Sequence, residues 1–339
     1  MNQNYFLSSE IQTGGILPTR KKSSLFFKLL SFIFLVTVFV AVYYAYDFSV
    51  ATSKTFPTET YYEIQKGQSL QTISRDLETK GYIASATTFY YAGRILALGG
   101  FVSGEYYLKQ PQSMYQLLRM FSSGNYGYTP VKITVPEGYT NRQIATVCAK
   151  LFIQCSEAEF MTQTERLEGY LFPATYSFSP NATIEKVIEK MVETYYKRTV
   201  DIRDEFTKTR LSEKEILVLA SIIEREAGTD EEKPIVAGIL LKRLQENKLL
   251  QVDAPFLYLY GKASRELSRA DLQRDTPYNT YLYKGLPPTP IGNPGLVSIE
   301  AVTHPETSPY YFYLHGDDGQ IHYAVTKEKK KKNKNLYIE

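Results

Sequence analysis

The longest apolar stretch of the chain lies close to its N-terminus. From Leu29 to Tyr46, eighteen residues carry no charge, and together with residues 25–27 they are long enough to span the hydrocarbon core of a bilayer. The pattern predicts one transmembrane helix over residues 25–46. A cleaved signal peptide is the alternative, but tyrosines crowd the positions before Asp47 where small residues would mark a cleavage site.

The charges on either side of this stretch predict its orientation. The residues before it are basic and Asp47 follows it, so the positive-inside rule places a tail of residues 1–24 in the cytoplasm. We therefore expect a single-pass anchor in the cell membrane, a linker over residues 47–60, and the rest of the chain outside the cytoplasm. The basic residues are Arg20, Lys21, Lys22 and Lys28.

An alternating pattern begins at Tyr62, turns at Gly67 and continues into a helix that Ser69 can cap. The same order returns in residues 132–144, where Gly138, Thr140 and Ile144 each stand 71 residues after their counterparts in the first segment. Thr140 and Gln143 are expected to form a capping box. The first of these segments resembles a LysM unit, and we predict a LysM-like module over residues 61–130. It could bind glycan or serve only to position the region that follows, and both interpretations remain open.

A helical pattern in the second half of the chain ends at a carboxyl group. Ser212 and Glu215 form a capping box, and the apolar run 216–223 leads directly to Glu224. Burial in an apolar wall raises the pKa of a carboxyl group, which would let Glu224 carry a proton at neutral pH. An ordinary solvated glutamate at a helix end is the alternative. Glu226 points about 200° away around the same helix.

Composition adds few constraints. The chain has 29 Tyr, 18 Phe and no Trp, a content that is compatible with stacking on sugar rings, and its net charge is +3. We expect no nucleic-acid partner, no cofactor and no metal, since the three histidines lack the spacing of metal ligands. Cys148 and Cys155 would lie about 10 Å apart on one continuous helix, so two separate thiols are expected unless the helix ends near Leu151.

Several motifs in the second half of the chain occur in a specific order. They are Leu167-Glu-Gly-Tyr-Leu-Phe-Pro-Ala-Thr-Tyr176, Leu219-Ala-Ser-Ile-Ile-Glu-Arg-Glu226, Leu250-Gln-Val-Asp253, Tyr278-Asn-Thr-Tyr281, Gly285-Leu-Pro-Pro288 and Ile291-Gly-Asn-Pro294. In order and spacing they resemble the MltG (YceG-like) endolytic murein transglycosylases. The sequence departs from the family pattern at Ala174, at Ala254 and within residues 329–332, where the family has Asp, Pro and His.

The resemblance implies a catalytic role for Glu224, which occupies the position of the family's catalytic acid. The implied reaction cleaves the β-1,4 bond between N-acetylmuramic acid and N-acetylglucosamine without water and leaves a 1,6-anhydromuramoyl end, which would trim or terminate new glycan strands. The expected substrate is therefore the peptidoglycan glycan strand, and peptidoglycan synthases (penicillin-binding proteins) are candidate partners. The expected substrate-binding residues are Ser221, Gln251, Asp253, Tyr278 and Asn279.

These inferences combine into an α+β architecture. We expect a single N-terminal transmembrane helix, the LysM-like module and a mixed α+β catalytic domain over residues 131–339 with an open groove, edged by the proline-rich stretch 285–295. Two other functions remain open. One is a non-catalytic glycan-binding scaffold, and the other is a muramoyl hydrolase in which Asp253 assists Glu224.

Overall fold

The computed structural model describes residues 23–96 and 100–338. Within them, the chain divides into two compact units, one ending at Tyr128 and the other beginning at Thr129. The expected cytoplasmic tail lies almost entirely outside the described residues, as do Arg20, Lys21 and Lys22.

Helix α1 (Ser23–Ser49) contains the predicted anchor. Its segment Leu25–Ser49 is long and apolar enough to cross a membrane, and its most apolar stretch is not buried within the protein. The helix continues three residues beyond the predicted end at Tyr46. An unburied apolar helix of this length is compatible with a membrane anchor.

The rest of the first unit is built around a pair of antiparallel strands. Its elements are β1 (Thr60–Ile64), α2 (Leu70–Thr79), α3 (Ala86–Ile95), β2 (Gly104–Leu108) and α4 (Met114–Ser123). Tyr62 pairs with Tyr106 across the two strands, and both rings are buried against Phe121. Serine side chains accept hydrogen bonds from the backbone at the starts of all three helices, as the predicted cap at Ser69 required.

The second unit begins with the same order of elements. Strands β3 (Val131–Thr134) and β4 (Thr175–Phe178) are antiparallel and enclose α5 (Asn141–Leu151) and α6 (Glu157–Gln163) in sequence. The chain continues with α7 (Ile184–Thr199), α8 (Arg203–Phe206), α9 (Glu213–Glu226), α10 (Lys233–Gln245), α11 (Ala254–Tyr260) and α12 (Leu296–Thr303). It ends with an antiparallel pair, β5 (Phe312–His315) and β6 (Ile321–Ala324), and with α13 (Lys327–Tyr337).

Helix α9 lies at the centre of the larger core of this unit. Every residue from Ile216 to Ile223 is buried, because α10, α11 and α12 all pack against it. A helix that is apolar on all sides is stable in water only when it is surrounded in this way. The core therefore fixes the position of the last turn of α9, which carries Glu224.

Two separate thiols were the favoured expectation, and it was wrong, because Cys148 and Cys155 form a disulfide with their Cα atoms 5.9 Å apart. The alternative that was left open, a helix ending near Leu151, is the one that forms. Helix α5 ends at Leu151, and the chain then turns back so that Cys155 reaches the preceding helical turn. The bond lies in the smaller core of the second unit, beside Phe152. A continuous helix through both positions, which would have kept them apart, does not form.

The proline-rich stretch forms no helix or strand, as predicted, but it is not a solvent-exposed connector. Residues 290–295 are all buried. The Asn293 side chain accepts hydrogen bonds from the backbone N–H groups of Gly169 and Leu171, and its amide group donates to Asn141. The loop is thus tied to the motif that begins at Leu167.

Candidate active site

The Glu224 carboxyl group is buried at the end of α9, where its side chain is 7% exposed. The capping box of Ser212 and Glu215 starts this helix as predicted, and the helix ends at Glu226, two residues before Gly228. Three donors surround the carboxyl group. The backbone N–H of Gly295 and the Ser298 hydroxyl donate to Oε2 at 2.9 and 2.7 Å, and the Lys233 ammonium donates to Oε1 at 3.2 Å.

The surroundings of Glu224 are more polar than the apolar wall that the sequence predicted. The helix face below it is apolar, but polar groups meet the carboxyl group itself, and one of them is a cation. Hydrogen bonds from charged donors are roughly twice as strong as those between neutral groups, so this pocket is well suited to hold a carboxylate. Burial was predicted correctly, whereas the polar environment was not.

Lys233 is the second buried ionic group of the site. Its side chain is 5% exposed, and it contacts Asp230 at 2.8 Å, Glu224 at 3.2 Å and Glu137 at 3.9 Å. Burial lowers the pKa of Lys233, but the hydrogen bond to Asp230 and the charge of Glu224 outweigh it, and the net shift is upward. A charged ammonium group therefore faces the catalytic candidate.

Glu137 brings a second carboxyl group to the same ammonium. Its side chain is 51% exposed, and its pKa is raised, first by burial and then by the negative charge of Glu224. A Cβ atom on Gly295 would meet the Glu137 carboxylate, so this carboxylate lies directly beside the residue whose N–H binds Glu224. Both acids, the buried Glu224 and the half-exposed Glu137, thus lie beside Lys233 and Gly295.

Two loops form the frame of this site. Residues 138 and 139 run beside Asn293, joined by hydrogen bonds of 2.8 Å from Gly138 N to Asn293 O and from Asn293 N to Tyr139 O. Gly138 has a φ of 74°, a conformation that favours glycine, and its carbonyl oxygen would lie 2.6 Å from a Cβ on Gly292. Close backbone contact of this kind fixes Glu137 and Gly295 relative to each other.

Two of the predicted substrate-binding residues are buried and bond other parts of the protein. Ser221 is 1% exposed, donates to Val218 O, and accepts a 3.0 Å hydrogen bond from the backbone of Ile291. Asn279 is also 1% exposed, and its amide group donates to the carbonyl oxygens of Leu272 and Arg274. The structure therefore uses the hydrogen-bonding groups of both side chains inside the protein.

The other three predicted substrate-binding residues are partly exposed. Tyr278 bonds the Thr289 hydroxyl at 2.6 Å and packs on Tyr258. Gln251 accepts a 2.7 Å hydrogen bond from Arg243, and Asp253 accepts one of 2.5 Å from Tyr281. None of the three has a hydrogen bond or ion pair with Glu224 among the residues that the structure describes.

Glu226 lies in a different environment from Glu224, as their positions around the helix predicted. It accepts hydrogen bonds from the Tyr313 hydroxyl at 2.9 Å and from the backbone of Ala254 at 3.3 Å. Burial raises its pKa, the Tyr313 hydrogen bond opposes that shift, and the negative charge of Asp253 adds to it. Asp253 is thus electrostatically coupled to Glu226.

Four groups at the site were not found by reasoning from sequence: Glu137, Lys233, Gly295 and Ser298. Glu137 was visible only as part of a repeated turn. Lys233 was visible only as a residue near the start of a helix that the sequence pattern predicts over residues 231–246. Within residues 23–96 and 100–338, no group of three or more His, Cys, Asp or Glu side chains is placed to hold a metal ion.

Together, the fold and the site define an α+β protein that has one apolar N-terminal helix and a site centred on a buried carboxyl group. Residues 62–336 match the family model described as the YceG-like family, and the chain belongs to that family. A relative from Bacillus subtilis (strain 168) named endolytic murein transglycosylase is 30% identical over 302 residues, which cover 81% of this chain and 84% of that protein.

Two further comparisons agree with this family. A relative of the same name from Streptococcus pneumoniae is 29% identical over 312 residues, which cover 80% of this chain and 57% of that longer protein. The crystal structure of a YceG-like protein from Listeria monocytogenes is 30% identical, with a TM-score of 0.57, and the match covers 80% of this chain and 98% of that one.

Proposed function

We propose that this protein is an endolytic murein transglycosylase that cleaves the bond between N-acetylmuramic acid and N-acetylglucosamine in peptidoglycan and leaves 1,6-anhydromuramoyl ends. The observation that carries the proposal is the buried Glu224 carboxyl group, held by Lys233, Gly295 and Ser298 at the position of the family's catalytic acid. The names of the relatives from Bacillus subtilis and Streptococcus pneumoniae support the same activity.

A bound glycan strand excludes water from the site, which favours the uncharged form of a buried carboxyl group. In the proposed reaction, Glu224 therefore holds a proton once the strand is bound, and it gives this proton to the glycosidic oxygen as positive charge develops at C1 of the muramoyl residue. The resulting carboxylate then takes the proton of the C6 hydroxyl group as that oxygen closes on C1. The proton count on Glu224 is restored, and no water is consumed. Lys233, Gly295 and Ser298 stabilise the carboxylate that exists between the two steps.

Glu137 is the candidate for a supporting role. It is half-exposed, it shares the Lys233 ammonium with Glu224, and a carboxylate beside the reacting sugar would stabilise charge at C1. Asp253 is less suited to this role, because it is bound to Tyr281 and coupled to Glu226. These contacts favour the transglycosylase over a hydrolase that would use Glu224 together with Asp253.

The first unit is proposed to bring the enzyme to its substrate. Helix α1 would anchor the protein in the cell membrane with its N-terminus in the cytoplasm, next to peptidoglycan synthases that deliver new strands. The strand-helix-helix-strand order from β1 to β2 is that of a LysM-like module, which could bind glycan. Deleting residues 61–124 should then weaken sedimentation with insoluble peptidoglycan more than cleavage of soluble fragments, and unchanged sedimentation would assign a structural role.

Glu224→Gln tests the catalytic assignment, because it keeps the size of the side chain and removes the transferable proton. One acid-base group contributes about 10²–10⁴ in rate, so release of anhydromuropeptides should fall at least a hundredfold. Glu226→Gln, two residues along the same helix, should retain most activity, and Asp253→Asn should fall between the two. Mass spectrometry of the products separates anhydro ends from the reducing ends of a hydrolase and from the uncut strands of a scaffold.

A reporter fused after Glu339 tests the anchor. It should be active only outside the cytoplasm, because the basic residues precede the apolar helix. A C-terminus in the cytoplasm would remove the substrate from reach and would overturn both the localisation and the proposed activity.

A further inference from the structure

The second unit contains a cavity of about 550 Å³ that the proposed reaction does not use. Its polar lining includes Arg142, Glu168, Arg225 and Tyr258, and apolar side chains such as Leu257 and Ile291 complete the wall. A cavity of this size holds a group of several non-hydrogen atoms and is large for solvent alone.

The cavity has an excess of positive charge. Arg142 is exposed and has no hydrogen bond or ion pair to its guanidinium group among residues 23–96 and 100–338. Arg225 donates to the carbonyl oxygen of Gly138 at 2.6 Å, and it too lacks an acidic partner in this part of the chain. Two guanidinium groups beside one cavity favour an anionic ligand, and the forked geometry of Arg suits a carboxylate.

Glu168, the one acidic residue in the lining, does not cancel this charge at neutral pH. It is 9% exposed, and burial raises its pKa to about 7, although hydrogen bonds from the backbone of Asn141 and from Tyr258 act against the shift. Near neutral pH a large share of this group is therefore uncharged. A neutral carboxyl group can donate a hydrogen bond to an anionic or amide oxygen.

The position of Arg142 is unfavourable for its own helix. It lies in the first turn of α5, where the positive end of the helix dipole repels a cation at a cost of about 0.3–1 kcal/mol. A guanidinium group has no acceptor atom, so Arg142 cannot cap the N–H groups of this turn, and Glu168 accepts from the adjacent Asn141 N–H at 3.0 Å instead. Arg142 therefore does not stabilise its own helix and is available to a ligand in the cavity.

The cavity is separated from the Glu224 carboxyl group by one turn of backbone. A Cβ atom placed on Gly138 would lie 3.3 Å from Arg225 Nε and 3.5 Å from Glu224 Cγ. The buried loop reaches both places, because Ile291 lines the cavity and Gly295 binds Glu224. A substituent attached to a sugar at Glu224 could therefore extend into the cavity.

We propose that this cavity binds a carboxylate-bearing peptide carried by the glycan strand, with Arg142 as the main anion-binding residue. Peptidoglycan joins acidic peptides with small alkyl side chains to its muramoyl residues, and the cavity offers both guanidinium groups and short apolar walls. The inference rests on the proposed function, since it assumes that the glycan strand lies at Glu224. It assigns to Arg142 the selection of peptide-bearing over bare strands.

The test compares soluble peptidoglycan oligosaccharides that carry their peptides with the same oligosaccharides after enzymatic removal of the peptides. Four forms of the full-length protein are compared in detergent: the wild type, Arg142→Gln, Arg142→Lys and Arg210→Gln. Arg210 is the control, because it is an exposed arginine outside the cavity lining. Arg225 is left intact, because its substitution would also release Gly138 beside the site.

We expect Arg142→Gln to lower kcat/KM on peptide-bearing strands about tenfold, mainly through KM, and to change it on bare strands less than about twofold. Arg142→Lys should recover part of the loss, and Arg210→Gln should resemble the wild type on both substrates. Equal losses of Arg142→Gln on both substrates, or no loss on either, would overturn the proposal.

A binding measurement separates this proposal from the proposed function. Isothermal titration calorimetry with the Glu224→Gln protein, which should not cut its ligand, gives dissociation constants for both oligosaccharides with and without Arg142→Gln. If the wild type releases no anhydro ends but Arg142→Gln still selectively weakens binding of the peptide-bearing form, the proposed activity fails and the cavity assignment holds. If the wild type releases anhydro ends but Arg142→Gln does not change the dissociation constant of the peptide-bearing form, the cavity assignment fails and the proposed activity holds.

Discussion

Replacing Lys233 with methionine should disturb both the stability and the activity of the second unit. Methionine keeps much of the length of the side chain and removes the ammonium group that contacts Glu224 at 3.2 Å. Glu224 would then be a buried carboxyl group that keeps only its hydrogen bonds from Gly295 and Ser298. Asp230 and Glu137, which are 63% and 51% exposed, can still be hydrated.

The size of the effect follows from the burial of the pair. Removing one partner of a buried ion pair typically costs about 3–5 kcal/mol. Because only one of the three acids at Lys233 is buried, we expect the lower end, about 3 kcal/mol. In a domain of 150–250 residues this corresponds to a fall in melting temperature of roughly 6–12 °C. Loss of one charge-assisted hydrogen bond to the carboxylate, worth about 1.5–3 kcal/mol, should slow the reaction roughly 10- to 100-fold.

Scanning calorimetry of the full-length protein, together with release of anhydromuropeptides, measures both effects. Lys214→Met, at an exposed position in the first turn of α9, is the matched control and should change neither. Lys233→Met combined with Glu224→Gln should recover much of the lost stability, because an uncharged pair costs little to bury. A melting temperature within 2 °C of the wild type for Lys233→Met, or purely additive losses in the double variant, would refute the reasoning.

Three further predictions concern single contacts. Ser298→Ala should lower the rate of product release about tenfold, because it removes the 2.7 Å hydrogen bond to Glu224. Ser308→Ala is the control and should leave the rate unchanged, because the buried Ser308 hydroxyl has no hydrogen-bond partner in the described chain. Folding raises the pKa of Glu168 from its ordinary 4.5 to about 7, so between these pH values the folded protein binds a proton that the unfolded chain does not. The free energy of unfolding should therefore fall by about 3 kcal/mol as pH rises from 4.5 to 7. Melting curves of Glu168→Gln should not show this pH dependence. Reduction of Cys148–Cys155, or Cys148→Ser with Cys155→Ser, should cost about 2–3 kcal/mol, with the double serine variant insensitive to reductant in calorimetry.

Local features of the fold could be predicted because their causes are local. The capping boxes at Ser212 and Thr140 were visible in the sequence, and both form, since a side chain three residues along meets the cap residue whatever the rest of the fold does. The sequence pattern also predicts a helix from Ile184 to Thr199, and α7 has these bounds, with the Thr183 side chain as its cap. In each case the deciding contacts lie within one turn of helix.

The surroundings of Glu224 could not be predicted in this way. Its three donors, Lys233, Gly295 and Ser298, are 9, 71 and 74 residues away, and they meet only because α10 and α12 both pack against α9. Asn279 is a second example. Its place in a motif led to the prediction that it binds substrate, but its amide group donates to the carbonyl oxygens of Leu272 and Arg274 and so stabilises the loop that contains it. A motif identifies residues that matter without showing whether they contact the substrate or support those that do.

The repeat noticed in the sequence extends further in the structure than the turn that revealed it. In the first unit, β1, α2, α3 and β2 begin at Thr60, Leu70, Ala86 and Gly104. In the second unit, β3, α5, α6 and β4 each begin 71 residues later, at Val131, Asn141, Glu157 and Thr175. Both strand pairs are antiparallel. One structural plan is therefore used twice.

The two copies differ where the proposed chemistry lies. The turn after β1 carries Lys66 before Gly67, and the equivalent turn after β3 carries Glu137 before Gly138, with φ values of 80° and 74° at the two glycines. The glycine of the turn therefore has the same backbone conformation in both copies, and the turns differ in the side chain that precedes this glycine. In the second copy that side chain is a carboxyl group beside Lys233 and Gly295, so a turn common to both copies has become part of the site around Glu224.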